Sequence, residues 1–406
     1  MAVADLPTTT LAHTPTDLTS ILPALGRFQA METEICGHLL GHDEAVRIAC
    51  LALLSRQRLV LLGPPGTGKS YLMELLAERI APATGGGLST FMYLMTRQTK
   101  PDELFGPVSI QGLKQDQYRR ITTRMLPEVE LAFLDEVFKS NSAILNSLLT
   151  VMNERKFDNG GVRHSVPLIS LFGASNEMPQ GDDLGALFDR FLLRGIMEYV
   201  DAPTFRKILR LPTMRPAPSV TIQHTDLIVL QQTAASLPIP DSLLDAFDQL
   251  RTDLTNRGIT ASDRRWRQLL GLLRANALLE GRSVVEEDDL IILKHTLWQT
   301  PEQRQEIGRM AAKLANPLNA RAVELGDQAV SIFQSAMDKQ GNAQLDDEAK
   351  MAAAIEAMTK LKTVATELKR VHEQATSQGR GTARIAKEQA RVTQMREQIS
   401  ALVIGV

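Results

Sequence analysis

The amino-acid sequence predicts an α/β domain built on a parallel sheet, followed by a region that is almost wholly helical. Short apolar runs and helical patterns alternate up to about residue 200, which is the arrangement that gives parallel strands with helices on both faces. Beyond that point the short runs stop, and apolar residues recur at helical spacing. Some of the apolar runs end in glycines or polar side chains, and these ends indicate function.

Length and composition describe a globular protein of more than one domain. The chain has 406 residues, of which 44% are hydrophobic and 23% are charged, and this length suits two or three packed cores. Aromatic residues make up 4% of the chain and the formal net charge is -2, so neither base stacking nor overall charge favours nucleic-acid binding. Cys36 and Cys50 lack CxxC spacing, which predicts free thiols in a reducing compartment.

The N-terminal segment and the hydropathy pattern predict a cytoplasmic protein. Residues 1–20 combine an early acidic residue with several threonines and prolines and lack the apolar core of a signal peptide, so we expect a flexible leader. No uninterrupted apolar run reaches the length of about 18 residues that crossing a bilayer requires. The sequence therefore predicts no membrane insertion.

An apolar run, a glycine-rich turn and an amphipathic helix follow one another between Leu59 and Ile80. Glycines permit torsions that let successive N–H groups cradle phosphate oxygens at a helix N-terminus, which predicts a nucleotide-binding P-loop. Lys69 is placed to reach the β- and γ-phosphates and Ser70 to bind Mg²⁺. A plain glycine-rich turn is the alternative, but it explains neither the strand before nor the helix after. The predicted nucleotide-binding residues are Gly63, Pro64, Pro65, Gly66, Thr67, Gly68, Lys69, Ser70, Tyr71 and Asp135.

A second apolar run ends in two carboxylates. The residues from Leu131 to Leu134 suit a buried parallel strand, and Asp135 and Glu136 follow at the end where such a sheet places its ligand crevice. Asp135 is predicted to hold Mg²⁺, directly or through water, and Glu136 to act as the general base for the attacking water. An acidic pair that merely opens a helix is the alternative.

A third apolar run, from Leu168 to Gly173, is followed by Asn176, whose amide can orient the attacking water. The order of P-loop, acidic strand end and polar strand end resembles that of the AAA+ ATPases, where the position of Asn176 is called sensor 1. This resemblance implies an α/β P-loop NTPase core with an AAA+ parallel sheet. It also implies that the chain hydrolyses ATP and uses Mg²⁺ as its cofactor.

Longer phrases narrow the resemblance to the MoxR AAA+ ATPases and, within them, to the RavA-like branch. The similarity runs from about Ile21 to about Arg304, so it covers most of the chain. It rests on four phrases: PDELFGP (Pro101 to Pro107), LDEVFKSNSAILNSLLTVMNERKF (Leu134 to Phe157), ASNEMP (Ala174 to Pro179) and SDRRW (Ser262 to Trp266).

The resemblance also implies roles for several arginines. Arg190 and Arg194, one turn apart near the end of a predicted helix, are similar to fingers that reach the γ-phosphate of a neighbouring subunit; surface salt bridges are the alternative. Arg264 matches sensor 2, with which the helical lid contacts nucleotide of the same subunit, and Arg265 is the other candidate. Arg155 is a further candidate for contact with the neighbour, although it also suits a helix C-terminus.

The implied domain order is a flexible leader (1–20), an AAA+ α/β nucleotide-binding core (21–200), an α-helical lid (201–300) and a C-terminal helical domain (301–406). Three amphipathic stretches in the last domain predict a helical bundle, similar to the triple-helical module of RavA-like relatives. Insertions at 105–127 and 156–167 are expected to form hairpins near the pore of a ring, the second because Asn159-Gly160 is a strong hairpin signal. Ordinary surface loops are the alternative.

Taken together, the resemblance implies a ring-forming ATPase, a homo-hexamer, that remodels, matures or inserts metal into a protein client. A protein with a von Willebrand factor A domain is the implied partner, and the residues do not identify the client. Two alternatives stay open. One is a nucleic-acid motor or loader, for which the basic segment from Tyr118 to Arg124 is the only support. The other is a nucleotide-switched scaffold that assembles proteins through its helical tail.

Overall fold

The structure is a computed structural model that describes residues 18–81, 89–211, 217–315, 317–341, 347–377 and 382–404. Residues 1–17, most of the predicted leader, lie outside this set. Leu18, at the start of the described part, packs against the hydrophobic core. A 3-10 helix at Thr19–Ile21 follows it.

A parallel sheet of five strands forms the centre of the described residues, in the spatial order β3-β4-β7-β1-β8. The sheet strands are β1 (Leu59–Leu62), β3 (Thr90–Leu94), β4 (Leu131–Asp135), β7 (Ser170–Ser175) and β8 (Leu193–Ile196). β1, β4 and β7 are neighbours, so the ends of the three apolar runs that indicated function meet at one edge. The short strands β2 (Ile80–Ala81) and β9 (Ile222–Gln223) pair separately.

Helices cover this sheet because four of its five strands are buried on both faces, whereas the edge strand β3 is partly exposed. β1 and β7 are buried along their whole length. α2 packs against β1 and β8, and α3 packs against β4 and β7. The helices of this domain are α1 (Leu22–His38), α2 (Asp43–Leu54), α3 (Lys69–Arg79), α4 (Pro101–Phe105), α5 (Ile110–Leu113), α6 (Ser142–Glu154), α7 (Asp182–Arg190) and α8 (Ala202–Ile208).

The two insertions pack against each other. The second is the predicted hairpin, formed by β5 (Lys156–Asn159) and β6 (Val162–Ser165) in antiparallel pairing. The first differs from a regular hairpin: it contains α5 and closes through an isolated bridge between Val108 and Arg120. Asn159 joins the two, since its side chain accepts from the backbone N–H of Arg120 at 2.6 Å and donates to the carbonyl of Arg120 at 3.0 Å.

The lid follows the sheet domain and is helical, as predicted, but the predicted boundary at residue 300 is corrected. The helix that begins at Pro301 belongs to the lid, because Ile307 and Ala311 are buried in the main hydrophobic core rather than in that of the C-terminal region. The lid consists of α9 (His224–Ser236), α10 (Asp241–Asn256), α11 (Asp263–Leu279), a 3-10 segment (Glu287–His295) and α12 (Pro301–Ala315). Ser262 caps α11 by accepting a hydrogen bond from the backbone N–H of Arg265. The rings of Phe247 and Trp266 meet edge to face at 4.9 Å and join α10 to α11.

The C-terminal region has a hydrophobic core of its own, which confirms the predicted helical bundle. Its helices are α13 (Pro317–Gly341), α14 (Asp347–Ser377) and α15 (Ala383–Ile404). Leu325, Leu361 and Ile399, one from each predicted amphipathic stretch, are buried in that core. Among the residues that the structure describes, no helix has the length and apolar character needed to cross a membrane.

Candidate functional site

The P-loop connects β1 to α3. Gly66 and Gly68 have φ values of +80° and +90°, in the left-handed region that favours glycine. Gly63 is required for a different reason: a Cβ there would lie 1.9 Å from the carbonyl oxygen of Met197. The loop therefore needs glycine at these positions, and α3 begins directly after Gly68 with its N-terminus at the loop.

Lys69 is the first residue of α3 and is buried in the loop that precedes it. Its ammonium group donates to the carbonyl oxygens of Gly63 at 2.7 Å and Pro64 at 2.9 Å. Burial lowers the pKa of Lys69, and the nearby carboxylates of Asp135 and Glu136 oppose that shift. The ammonium group is therefore held beside the P-loop backbone.

Ser70 and Asp135 form a pair of oxygen donors. The Ser70 hydroxyl donates to Asp135 Oδ2 at 3.1 Å, although the two residues are 65 positions apart in the sequence. The other carboxylate oxygen of Asp135 accepts from the backbone N–H of Glu136 at 2.9 Å. Hydroxyl and carboxylate oxygens are the hard ligands that Mg²⁺ prefers, so this donor set fits that ion.

Glu136 has an unusual backbone conformation at the end of β4. Its φ of +53° lies in the left-handed region, which costs energy for a residue with a side chain and is often found at functional sites. Its carboxylate accepts a hydrogen bond from Asn176 Nδ2, and its other oxygen lies 3.4 Å from the ammonium group of Lys139. The side chain is therefore held from two sides and is largely buried.

Asn176 links the P-loop to the carboxylates. Its Oδ1 accepts from Lys69 Nζ at 2.9 Å, while its amide nitrogen donates to Glu136. Asn176 follows β7, which lies between β1 and β4, so a single side chain can contact residues from both neighbouring strand ends. The structure thus brings together Lys69, Ser70, Asp135, Glu136 and Asn176. Tyr71, in contrast, packs against the hydrophobic core.

A cavity of about 590 Å³ lies beside Tyr199, a residue that contacts the P-loop, and we call it the side cavity. It is formed by the start of α2, the segment after β8 and the start of α12; lining residues include Gly41, His42, Glu44, Tyr199, Asp201 and Arg304. The hydroxyl of Tyr199 donates to the P-loop carbonyl of Pro65 at 3.1 Å, which places this cavity next to the phosphate-binding loop. The cavity is large enough for a ribose and a base.

The two predicted finger arginines have different environments. Arg190 is the last residue of α7; its side chain is 31% exposed and lies 3.5 Å from Asp189. Arg194 lies in β8 rather than in the predicted helix, and its side chain has no exposed surface. Its guanidinium lies 4.0 Å from the ring centre of Phe188 and donates to the backbone carbonyl of Trp298.

The finger role predicted for Arg194 is therefore corrected. A residue that reaches a neighbouring subunit needs an exposed side chain, and Arg194 is instead surrounded by aromatic rings that join the sheet domain to the lid. Burial and the nearby charge of Arg265 lower its pKa well below the ordinary value. The helical spacing failed as a guide here because β8 begins directly after α7.

Arg264 and Arg265 point to different environments, although they are adjacent. Arg265 is buried and donates to the backbone carbonyls of Asp189 at 2.8 Å and Phe191 at 3.0 Å. Arg264 is exposed and donates to Asn153 Oδ1, at the C-terminal end of α6, at 2.6 Å. Arg265 therefore holds the lid against the sheet domain, whereas the side chain of Arg264 stays exposed to solvent.

Arg264 lies at the amino edge of the sheet, opposite the P-loop. Its neighbour Arg58 directly precedes β1, and the pKa of Arg58 is lowered to about 10 by burial and by repulsion from surrounding arginines. Those arginines are Arg264, Arg155, Arg190 and Arg265. The P-loop follows the other end of β1, about 13 Å away at ~3.3 Å per strand residue. The predicted contact of Arg264 with the nucleotide of its own subunit is therefore corrected.

We call Arg58, Arg155, Arg190 and Arg264 the arginine face. Arg155, the C-cap of α6, donates to the carbonyl of Arg56 at 2.8 Å, and burial is the first cause that lowers its pKa to about 10. A cavity of about 270 Å³ lies at Arg58 and Arg155. Arg190 Nε is buried without a hydrogen-bond partner among the described residues. The arginine face thus concentrates positive charge away from the P-loop of the same chain.

Sequence reasoning missed two residues at the site. Lys139 could have been found, because it follows Glu136 by three residues, a spacing that brings side chains together in the 3-10 turn Val137–Lys139. Tyr199 could not, because its contact with Pro65 joins segments 134 positions apart. The side cavity likewise combines α2 with the segment after β8 and with the lid.

Comparisons with protein families give matches over most of the chain. Residues 26–233 match the model described as the MoxR domain in the MoxR-vWA-beta-propeller ternary systems. Residues 242–311 match the model of an AAA lid domain. The first match includes the P-loop, the carboxylates, Asn176 and the arginines at the end of α7, and the second includes Arg264, Arg265 and Arg304.

Individual relatives agree with these matches. The uncharacterized protein MJ0812 of Methanocaldococcus jannaschii is 36% identical over 299 residues, which cover 73% of this chain and 78% of the relative. Chaperone MoxR1 of Mycobacterium tuberculosis is 25% identical over 283 residues, 64% of this chain and 72% of the relative. A crystal structure of a protein from Cytophaga hutchinsonii matches with a TM-score of 0.57 and 18% identity, covering 72% of this chain and 97% of that chain. At this identity the last likeness concerns the fold alone.

Proposed function

Since the chain belongs to the MoxR family of AAA+ ATPases, we propose that it hydrolyses ATP in a ring of identical subunits and uses the free energy to remodel a protein client. The observation that carries this proposal is the hydrogen-bonded set at the carboxyl edge of the sheet. Lys69, Asn176 and Glu136 are joined there in a row, and the Ser70–Asp135 pair lies beside it. These are the groups that phosphoryl transfer to water requires.

Each residue has a separate task in this reaction. The P-loop N–H groups and Lys69 bind the phosphates, with Lys69 exchanging the carbonyls of Gly63 and Pro64 for phosphate oxygens. Ser70 and Asp135 would hold Mg²⁺, which neutralises phosphate charge when bound. Glu136 accepts a proton from the attacking water, and Asn176 orients that water. The side cavity would take the nucleoside.

We propose that the arginine face acts on the neighbouring subunit. What supports this is its position: Arg190 and Arg264 lie away from the P-loop of their own chain and retain exposed surface. In a ring, one subunit can present this face to the phosphates held by the next, where an arginine stabilises charge in the transition state. Turnover would then depend on assembly, and a hexamer is the proposed ring.

A protein partner is proposed from the family and from an exposed surface. The name of the matching family model joins MoxR with vWA and beta-propeller proteins, which supports a partner with a von Willebrand factor A domain. The two insertions expose large apolar side chains that suit contact with a protein, namely Ile110, Leu113, Tyr118 and Val162. The proposal has two finer parts. The first is that the ATPase matures its client or inserts a metal into it. The second is that the chain belongs to the RavA-like branch, which its three C-terminal helices support.

The basic segment of the nucleic-acid alternative is only partly available to a ligand. Arg119 and Arg124 are exposed, whereas the side chain of Arg120 is only 16% exposed and pairs with Asp102 and the carbonyl of Gly106. The scaffold alternative differs from the motor in a measurable way, since a scaffold needs little turnover. We therefore keep both as outcomes of the experiment below.

Glu136→Gln provides the test. The variant should bind ATP but release phosphate at a small fraction of the wild-type rate, because the amide cannot accept the proton. Held in ATP, it should retain a von Willebrand factor A protein and a client from native extract, whereas Lys69→Ala, run beside it, should not. Near-normal turnover would exclude Glu136 as the base. Nuclease-sensitive complexes would favour a nucleic-acid motor, and a wild-type protein with little turnover even with partner present would favour the scaffold.

A further inference from the structure

The side cavity has a wall that belongs to the lid. Pro301, Arg304 and Gln305, in the first turns of α12, line it together with residues of the sheet domain. Neither Arg264 nor Arg265 lines this cavity. Of these three lid arginines, therefore, only Arg304 borders the side cavity.

Arg304 is held by a carboxylate in the first turn of α2. Its guanidinium donates to Glu44, which also contacts the ammonium group of Lys294 and lies 3.1 Å from His295 Nε2. Burial alone would raise the pKa of Glu44, but bonds from His295 and Lys294 outweigh this effect and lower it, so the carboxylate is charged at neutral pH. Glu44 thus ties the lid to the segment that begins at Gly41 and His42.

The guanidinium of Arg304 has bonding capacity left. Its Nε is buried without a hydrogen-bond partner among the residues that the structure describes. A ligand in the side cavity cannot reach this buried nitrogen, but a guanidinium has five N–H donors, and Arg304 lines the cavity while one terminal nitrogen binds Glu44. The remaining donors are free for a ribose hydroxyl or a purine ring nitrogen.

We propose that Arg304 is the lid residue that contacts the nucleotide bound to the same subunit, at its ribose and base, with Glu44 as its positioning residue. The proposal rests on the proposed function, because the P-loop must hold the phosphates for the nucleoside to enter the side cavity. The planar guanidinium can stack on a purine and donate from its edge. A bound nucleotide would then connect the sheet domain, through Tyr199 and the P-loop, to the lid.

The experiment compares ADP with inorganic pyrophosphate, which shares the phosphates but has no nucleoside. Binding of each to the full chain is measured by isothermal titration calorimetry with Mg²⁺ present. Arg304→Ala should weaken ADP binding roughly tenfold, about the effect of one stacked or charge-assisted contact. Its affinity for pyrophosphate should stay within about twofold of wild type. Glu44→Gln should show the same selective loss to a smaller extent, because the guanidinium remains but is no longer held.

Arg257→Ala is the matched control. Arg257 also contacts α12, through Glu306, but it does not line the side cavity, so its removal should change neither affinity. Arg304→Lys covers the case in which Arg304→Ala does not fold, because lysine keeps the positive charge opposite Glu44 but lacks the planar guanidinium group. It should still lose ADP affinity selectively. Fluorescence of the two tryptophans reports folding of every variant.

Two outcomes would overturn the inference. In the first, the Arg304 variants bind ADP as wild type does. In the second, ADP and pyrophosphate weaken equally, which means that Arg304 acts through overall charge or folding rather than on the nucleoside. Failure of the proposed function is distinguishable from both, because a wild-type protein that binds neither ligand, or a Lys69→Ala protein that binds both normally, would contradict the P-loop itself.

Discussion

Replacement of Arg265 by alanine tests whether two adjacent arginines have the separate roles described above. Arg265 is 4% exposed and donates to backbone carbonyls of both the sheet domain and the lid. These carbonyls belong to Asp189, Phe191, Leu192 and Thr296. Its pKa is lowered to about 10 by burial, so the guanidinium still carries its charge at neutral pH.

The expected cost follows from those carbonyls. Each buried carbonyl left without a donor lowers the free energy of unfolding by about 1–3 kcal/mol. Part of this loss is recovered, because some of the carbonyls become hydrated and a buried charge is removed. We therefore expect Arg265→Ala to lower the free energy of unfolding by about 3–5 kcal/mol. Arg264→Ala removes an exposed contact with Asn153 and should change the free energy of unfolding by about 0.5 kcal/mol or less.

Urea unfolding followed by tryptophan fluorescence is a direct assay for this pair of variants. Trp298 packs against Phe188 beside Arg194, so its indole reports the contact between lid and sheet domain. Trp266 is adjacent to Arg265 and reports the packing of α10 on α11. Arg264→Ala should unfold like wild type and yet lose turnover in the assembled ring. A wild-type transition for Arg265→Ala, or equal destabilisation by both substitutions, would refute the assignment of Arg265 as the structural residue.

Other consequences of the site can be tested in the same way. Lys69→Ala should abolish ATP binding, because the phosphates lose their main counter-ion; calorimetry that finds unchanged affinity would contradict the P-loop assignment. Arg190→Ala should lower turnover by roughly 10³ while the monomer binds ATP normally, and a loss of affinity alone would place the finger elsewhere. Burial would raise the pKa of Glu34, but hydrogen bonds from Ser219 and Arg79 outweigh this effect and lower the pKa to about 2. The stability that Glu34 contributes should therefore be complete above about pH 5 and disappear as the pH falls towards 2, so the unfolding midpoints of wild type and Glu34→Gln should converge over that range.

The residues of the carboxyl edge could be predicted because local sequence places them there. A glycine-rich turn after β1, carboxylates after β4 and an amide after β7 each follow a run of apolar residues. In a parallel sheet the carboxyl ends of neighbouring strands lie at one edge. The hairpin at Asn159-Gly160 was predictable for a similar reason, since its turn chemistry is local.

The arginines could not be assigned in this way, because the environment of a charged side chain depends on segments far away in the sequence. Arg264 and Arg265 are adjacent, yet one contacts α6 and the other the segment after α7. Arg194 was expected one helical turn after Arg190, but the chain enters β8 between them. Arg304 carried no local signal, because its cavity combines α2, the segment after β8 and α12.

The sequence by itself determined the polar carboxyl edge of the sheet, since strand ends, turn glycines and terminal polar residues are set by nearest neighbours along the chain. The tertiary structure decided which arginines are buried between the lid and the sheet domain and which remain exposed. It also decided where residues of the lid line the side cavity. The physical reason is that burial and electrostatic potential are sums over contacts between distant segments. Helical or strand periodicity shows which residues share a face of one element, but only packing decides what that face meets.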